Sequence, residues 1–294
     1  MHINCAILWP VNSAGLIRDI NNKYREKVNM KKLFLVVLLI LFGFATVQAA
    51  TFTTNPFPPD KPQEPTRGVP GPNTITQSLD TATVTNGNSV SCNAGSLHTD
   101  NSYIRRFDLD GDHNIQRSFD INNVTIGVEV ASSAGAAGQP LVVNLYTIAA
   151  GDALLFANLT PIGQAVFPAF ADTSLAIVDL PVTGTVNDPA SQDLVVEIFL
   201  PNGQSAGHSF FIGSNANGEI APTYLAAADC GAPEPATTAS IGFPNMHLLM
   251  LVDGVESAAA PIPTMSEWGM ILLGLILSVS AITILRRKRN TAGM

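Results

Sequence analysis

From Met270 to Leu285 the chain runs through sixteen residues without one charged side chain, and Arg286, Arg287, Lys288 and Arg289 follow at once. Counted from Gly269 the apolar stretch is 17 residues, about 26 Å as a helix, enough to cross a hydrocarbon core. A basic cluster stays on the cytoplasmic side of such a span, which puts everything before it outside. Trp268 stands where an interfacial aromatic belongs. A plain C-terminal anchor fits this topology as well as a processed tail does.

The front of the chain reads as an export signal. Met30-Lys31-Lys32 supplies the basic start, Leu33–Phe44 the apolar segment, and Val47-Gln48-Ala49 small residues at −3 and −1 of a cleavage site after Ala49. The apolar segment is short for a membrane span, which favours removal over anchoring. Residues 1–29 are mixed and unpatterned, so the expectation is an upstream extension with the signal occupying 30–49.

The residues before the C-terminal span sharpen the reading of that end. Ile262-Pro263-Thr264-Met265-Ser266-Glu267-Trp268-Gly269, the span and the arginine cluster together resemble the IPTL-CTERM sorting signal. That resemblance implies processing by an exosortase-type membrane enzyme over 262–290, with a transmembrane helix at 269–285. Pro263 blocks helix continuation and keeps its neighbours extended. Met265 stands where the family usually has Leu, a substitution of similar volume and apolarity.

Charge divides along the same lines. Residues 50–260 hold 20 Asp and Glu against five Lys and Arg, whereas the whole chain is only −8. Such an acidic exported body repels nucleic acid and anionic membrane and suits solubility. Residues 50–73 are rich in proline and read as an extended linker, and 257–261 as a shorter one.

Between the linkers, 74–256, apolar residues alternate with period two. Val124, Ile126, Val128 and Val130 form one such face, and Leu141, Val143 and Leu145 another. Leu194–Leu200 and Met246–Val252 repeat the pattern; Tyr103–Phe107, Ile162–Phe167, Leu175–Leu180 and Ser209–Ile212 show it less completely. Asn86-Gly87, Asn187-Asp188-Pro189 and Pro201-Asn202-Gly203 supply turns. The fold class expected is all-β: an antiparallel two-sheet β-sandwich, jelly-roll-like, of eight to ten strands, flanked by an N-terminal signal helix and the C-terminal transmembrane helix.

Cys92 and Cys230 are the two cysteines left after signal removal, and an even pair in an exported domain reads as a disulfide. Its long loop gives it about 4–5 kcal/mol in the chain-entropy account. Gly87–Cys92, Thr99–Tyr103, Phe210–Asn215 and Ile241–His247 resemble a bacterial extracellular β-sandwich module, which implies fold and surface location and no particular activity.

Chemistry is thinly represented. Asp108, Asp110 and Asp112 alternate in Asp-Leu-Asp-Gly-Asp-His-Asn and are the candidate ligands for calcium, although Gly111 and Phe119 depart from an EF-hand loop. The histidines are scattered and no Gly-x-Ser-x-Gly occurs, so no catalytic residue is assigned and no other cofactor is expected. The expectation is a non-enzymatic cell-surface or matrix protein acting by adhesion, its partners the sorting enzyme, the membrane and a surface glycan or matrix polymer, with no nucleic acid. The alternative is a secreted carbohydrate-binding or hydrolase-associated module, with a stand-alone hydrolase as the third reading.

Overall fold

Alternation of apolar and polar side chains is what a strand needs to bury one face. The computed structural model of the chain, which describes residues 48–56, 73–258 and 265–291, shows it used throughout. In chain order the first strands are β1 (Thr51–Thr54), β2 (Asn73–Thr76), β3 (Val90–Ala94) and β4 (Leu97–His98). Then come β5 (Asn101–Phe107), β6 (Phe119–Ser132), β7 (Gln139–Ala149) and β8 (Thr160–Phe170). They are followed by β9 (Thr173–Val186), β10 (Gln192–Leu200), β11 (Ser209–Ile212) and β12 (Ser214–Asn215). The last are β13 (Tyr224–Ala227), β14 (Ala232–Thr237), β15 (His247–Leu248) and β16 (Met250–Glu256), before the helix α1 (Met265–Thr291).

Six strands form one antiparallel sheet in the order β14-β13-β5-β10-β7-β8. A second antiparallel sheet is built on the long strand β6: β9 pairs along one of its edges, and β16 and β11 lie end to end along the other. Strand β2 closes that sheet beyond β16. One buried cluster draws on both sheets. It takes Tyr103, Phe107, Leu141, Val143, Leu145, Leu194, Val196 and Ile198 from the first, and Ile75, Val124, Ile126, Val128, Leu180 and Val252 from the second. Smaller pieces complete the body: the three-stranded sheet β1-β3-β4 and the pair β12-β15.

The alternating segments therefore face inward as the sequence requires, with one correction. Val130 leaves the core and Ala131 enters it, because the pairing of β11 with β6 slips between Val128 and Val130. A bulge of this kind changes which face the following residues occupy. A second correction concerns the front linker: Thr51–Thr54 is strand β1, paired with β3 in a register that sets Phe52 opposite Cys92. Residues 57–72 of that linker, the signal segment through Val47, and 259–264 lie outside the described residues.

Two close approaches demand glycine. A Cβ on Gly163 of β8 would sit 2.1 Å from the Thr183 carbonyl oxygen of β9, where the edges of the two sheets meet. A Cβ on Gly213 would likewise run into the Gly127 backbone where β11 and β16 abut, and the Gly213 N–H donates to the Gly127 carbonyl at 2.7 Å. Prolines guard the edges of the six-stranded sheet: Pro233 and Pro235 in β14, Pro161 and Pro168 in β8. A proline offers no N–H to an incoming strand, so neither edge invites pairing with another chain.

Candidate functional site

The tail is one candidate. The helix offers a 21-residue candidate span, Trp268–Lys288, exposed along its length; its uncharged part, Trp268–Leu285, is about 27 Å at 1.5 Å per residue, which matches a bilayer core. Its hydroxyls are satisfied within the helix: Ser278 Oγ donates to the Gly274 carbonyl and Ser280 Oγ to that of Ile276, both at 2.7 Å. Lipid offers no partner to such groups, so internal bonding suits a span. Met265 opens the helix, Trp268 is exposed at its start beside Gly269, and Arg286, Arg287 and Lys288 are exposed toward its end. Arg289 lies in the same helix. Ile262, Pro263 and Thr264 fall outside the described residues; Ala49 is exposed coil two residues before β1.

Cys92 and Cys230 are joined, with Cα atoms 5.9 Å apart and 138 residues of separation. The bond ties β3 to the short 3-10 turn Ala228–Cys230 that follows β13. The aspartates expected as calcium ligands lie in the loop after β5. Asp108 turns its carboxylate back onto the N–H of Gly111 at 2.7 Å, and successive backbone bonds from Asp112 to Asp108 and from Asn114 to Asp110 coil the segment. Leu109 and Ile115 anchor it in the core. Among the described residues no group of three or more His, Cys, Asp or Glu is placed to hold a metal ion.

Polar groups sit inside the body where the sequence reading missed them. Arg105 shares its face of β5 with Tyr103 and Phe107 and is buried completely. Its guanidinium donates to Glu219 Oε2 and to the Ala221 carbonyl, each at 2.8 Å, and to the Leu248 carbonyl at 2.5 Å. Burial lowers the Arg105 pKa while Glu219 opposes the shift. Glu219 in turn accepts from the N–H and hydroxyl of Thr223. The signal was present, since strict alternation puts residue 105 inward with its neighbours. Glu129, which strict alternation sets on the face opposite Val124, Ile126 and Val128, is nevertheless buried and accepts from the N–H groups of Gly87 at 2.6 Å and Ser89 at 2.9 Å. The histidines take structural posts. His98 is buried between the Thr99 carbonyl and Gln139, each 3.0 Å away, and burial pushes its pKa down. His247 accepts from the Gly218 N–H at 2.9 Å.

The outer face of the six-stranded sheet carries the most organised polar constellation. Half of that face is covered: Leu154, Phe156 and Leu159 from the β7–β8 connection pack on Ile104, Ile148 and Val195. The other half is open, and its central carboxylate is Glu197. Ser102 Oγ donates to Glu197 Oε1 at 2.5 Å, while Asn144 Nδ2 and Tyr146 OH donate to Oε2 at 2.8 and 2.9 Å. Gln164 Nε2 continues the chain onto Asn144 Oδ1 at 2.8 Å. The register explains the line, since Ile104, Glu197, Asn144 and Gln164 lie opposite one another across β5, β10, β7 and β8. Burial raises the Tyr146 pKa, and Glu197 adds to the shift, so the phenol stays protonated as the donor.

Comparisons with known proteins agree on the tail and are weak for the body. Residues 260–289 match the family model described as the IPTL-CTERM motif. The chain thus carries an IPTL-CTERM sorting motif at its C-terminus, coincident with the apolar helix. No curated protein matches the chain. Among solved structures, one similar chain holds the cysteine protease and lectin-like domains of a surface-layer-associated protein of Clostridium difficile. The likeness has 9% identity and a TM-score of 0.31, and covers 57% of this chain and 38% of that one, so it carries no argument here.

Proposed function

We propose that this protein is an exported cell-surface or extracellular-matrix protein, handed to an exosortase-type enzyme by its tail and acting outside the cell by adhesion, without catalysis. The observation that carries this reading is the coincidence of the IPTL-CTERM match over 260–289 with the helix Met265–Thr291, whose uncharged stretch Trp268–Leu285 is exposed. The helix holds the precursor in the membrane, the basic residues after it stop translocation, and the motif before it is offered to the enzyme at the membrane surface. The body is a β-sandwich, a reading supported by two antiparallel sheets that share one core. The Cys92–Cys230 disulfide suits an oxidising destination.

The test follows the mass and location of the chain in cells with and without the sorting enzyme. With it, the tail is cut near Ile262–Met265 and the body leaves the inner membrane; without it, the full precursor stays membrane-embedded. A tail that remains intact in both strains would replace sorting with simple anchoring.

A further inference from the structure

We infer that the open half of the outer face, centred on Glu197, is a binding face for neutral saccharides. The inference rests on the surface-adhesion reading above and names the partner that reading leaves open.

The face offers two rows side by side. One is polar: Glu197, Asn144 and Gln164 occupy neighbouring strands in register, linked by the hydrogen bonds described above. The next row along the strands is apolar, with Phe199, Val142 and Val166 in register on the same three strands. Val166 is 58% exposed and Gln164 is exposed, whereas Glu197 is only 5% exposed beneath its donors. Strands stand about 4.8 Å apart, so the polar row presents a hydrogen-bonding group at each such step. A pyranose has the matching anatomy, with hydroxyls around its edge and C–H groups on its faces. Laid across the two rows, it would meet amides at its hydroxyl edge and Phe199 with the valines at its C–H face.

The hydrogen-bond chain is held before any ligand arrives. Glu197 fixes Asn144 and Asn144 fixes Gln164, which costs ordering energy during folding and spares it during binding. Each primary amide still has a second N–H, and Gln164 has its carbonyl oxygen, to offer outward. One carboxylate with three donors of its own calls for no cationic partner. Other classes of occupant fit poorly. A peptide adding itself as a strand meets prolines at both sheet edges, Pro161 and Pro168 on one and Pro233 and Pro235 on the other. A nucleic acid meets a body with 20 acidic and five basic residues over 50–260.

The experiment uses the full chain in detergent, with immobilised neutral polysaccharides (a β-1,4-glucan, a β-1,4-mannan and an α-1,6-glucan) and a polyuronate as the charged comparison. Retention on at least one neutral polymer and release by its soluble oligosaccharide are expected. Gln164→Ala and Asn144→Ala should each weaken binding about tenfold, the factor for one lost hydroxyl partner. Both variants are checked for an unchanged thermal midpoint, and exposed Gln164 is the safer of the two. Retention on none of the neutral polymers, or retention indifferent to both substitutions, overturns the assignment. So does binding confined to the polyuronate. Tail processing in the fractionation test is unaffected by either substitution, so failure here and failure of the sorting reading are told apart.

Discussion

Replacing Glu219 by alanine leaves the Arg105 guanidinium charged inside the protein with its ion-pair partner gone. The Arg105 side chain is fully buried and that of Glu219 is 17% exposed, with 2.8 Å between Nη1 and Oε2. Breaking a buried pair from one side costs about 3–5 kcal/mol, because the surviving charge remains desolvated. Two things place Glu219→Ala near the lower end, about 3 kcal/mol. Water can follow into the partly exposed Glu219 position, and the carbonyls of Ala221 and Leu248 still accept from the guanidinium. Against that, the N–H and hydroxyl of Thr223 lose their acceptor. Arg105→Met removes the charge and keeps an apolar stem among Tyr103 and Phe107. The double variant Arg105→Met with Glu219→Ala should therefore be clearly less destabilised than the sum of the singles, by about 2 kcal/mol of coupling. Urea unfolding of the full chain in detergent, followed by far-ultraviolet circular dichroism, gives the midpoints and slopes. A loss below about 1 kcal/mol in Glu219→Ala, or additive singles, would refute the argument that this pair is a desolvated unit.

Three further outcomes are expected. The double variant Cys92→Ala, Cys230→Ala loses about 5 kcal/mol, the chain-entropy value for a separation of 138 residues; reductant should lower the urea midpoint of the wild type and leave that of the variant unmoved. Burial pushes His98 and His113 below their ordinary 6.5, so the unfolded chain takes up protons that the folded one refuses. Stability should thus fall as pH drops through 6.5 and level off below the folded values; a thermal midpoint flat from pH 8 to about 5 would contradict this. In Gly163→Ala the new Cβ would meet the Thr183 carbonyl oxygen at 2.1 Å, and backbone cannot yield as a side chain can. A cost of about 2–3 kcal/mol in urea unfolding is expected, and a neutral outcome would mean that β8 and β9 separate easily.

What the sequence made legible follows from how each segment is buried. Leu194–Leu200 and Leu141–Leu145 bury every second residue against the same core, so period-two alternation alone reveals them. Strand β14 reads Ala-Pro-Glu-Pro-Ala-Thr and offers no such pattern, since an edge strand buries little and its prolines serve to refuse pairing. Strand β1 was hidden for a related reason: Thr51–Thr54 contributes one half-buried apolar residue, Phe52, beside a proline-rich stretch. The burial of Glu129 is invisible to alternation because it depends on residues about forty positions away, where Gly87 and Ser89 present their N–H groups to it. The aspartates near Asp110 illustrate the converse. Alternate spacing brings carboxylates together only if the chain loops around an ion, and no spacing rule foresees the local backbone bonds that coil Asp108–Asn114 here.

The same distinction bears on the face around Glu197. Alternation places Glu197 and Asn144 outward on two separate strands, and no spacing rule says that they meet. Only the register of β10 on β7, with β8 beyond, turns three scattered polar residues into one connected row. A sorting tail is a local string read by one enzyme, so it is visible in thirty residues. A binding face is a property of strand pairing, so it becomes visible only once the sheet is assembled. That asymmetry explains why export was legible from sequence while the partner was not. It also fixes where a loss-of-binding substitution has to fall: on outward positions of β7, β8 and β10, away from the alternating core that holds those strands in register.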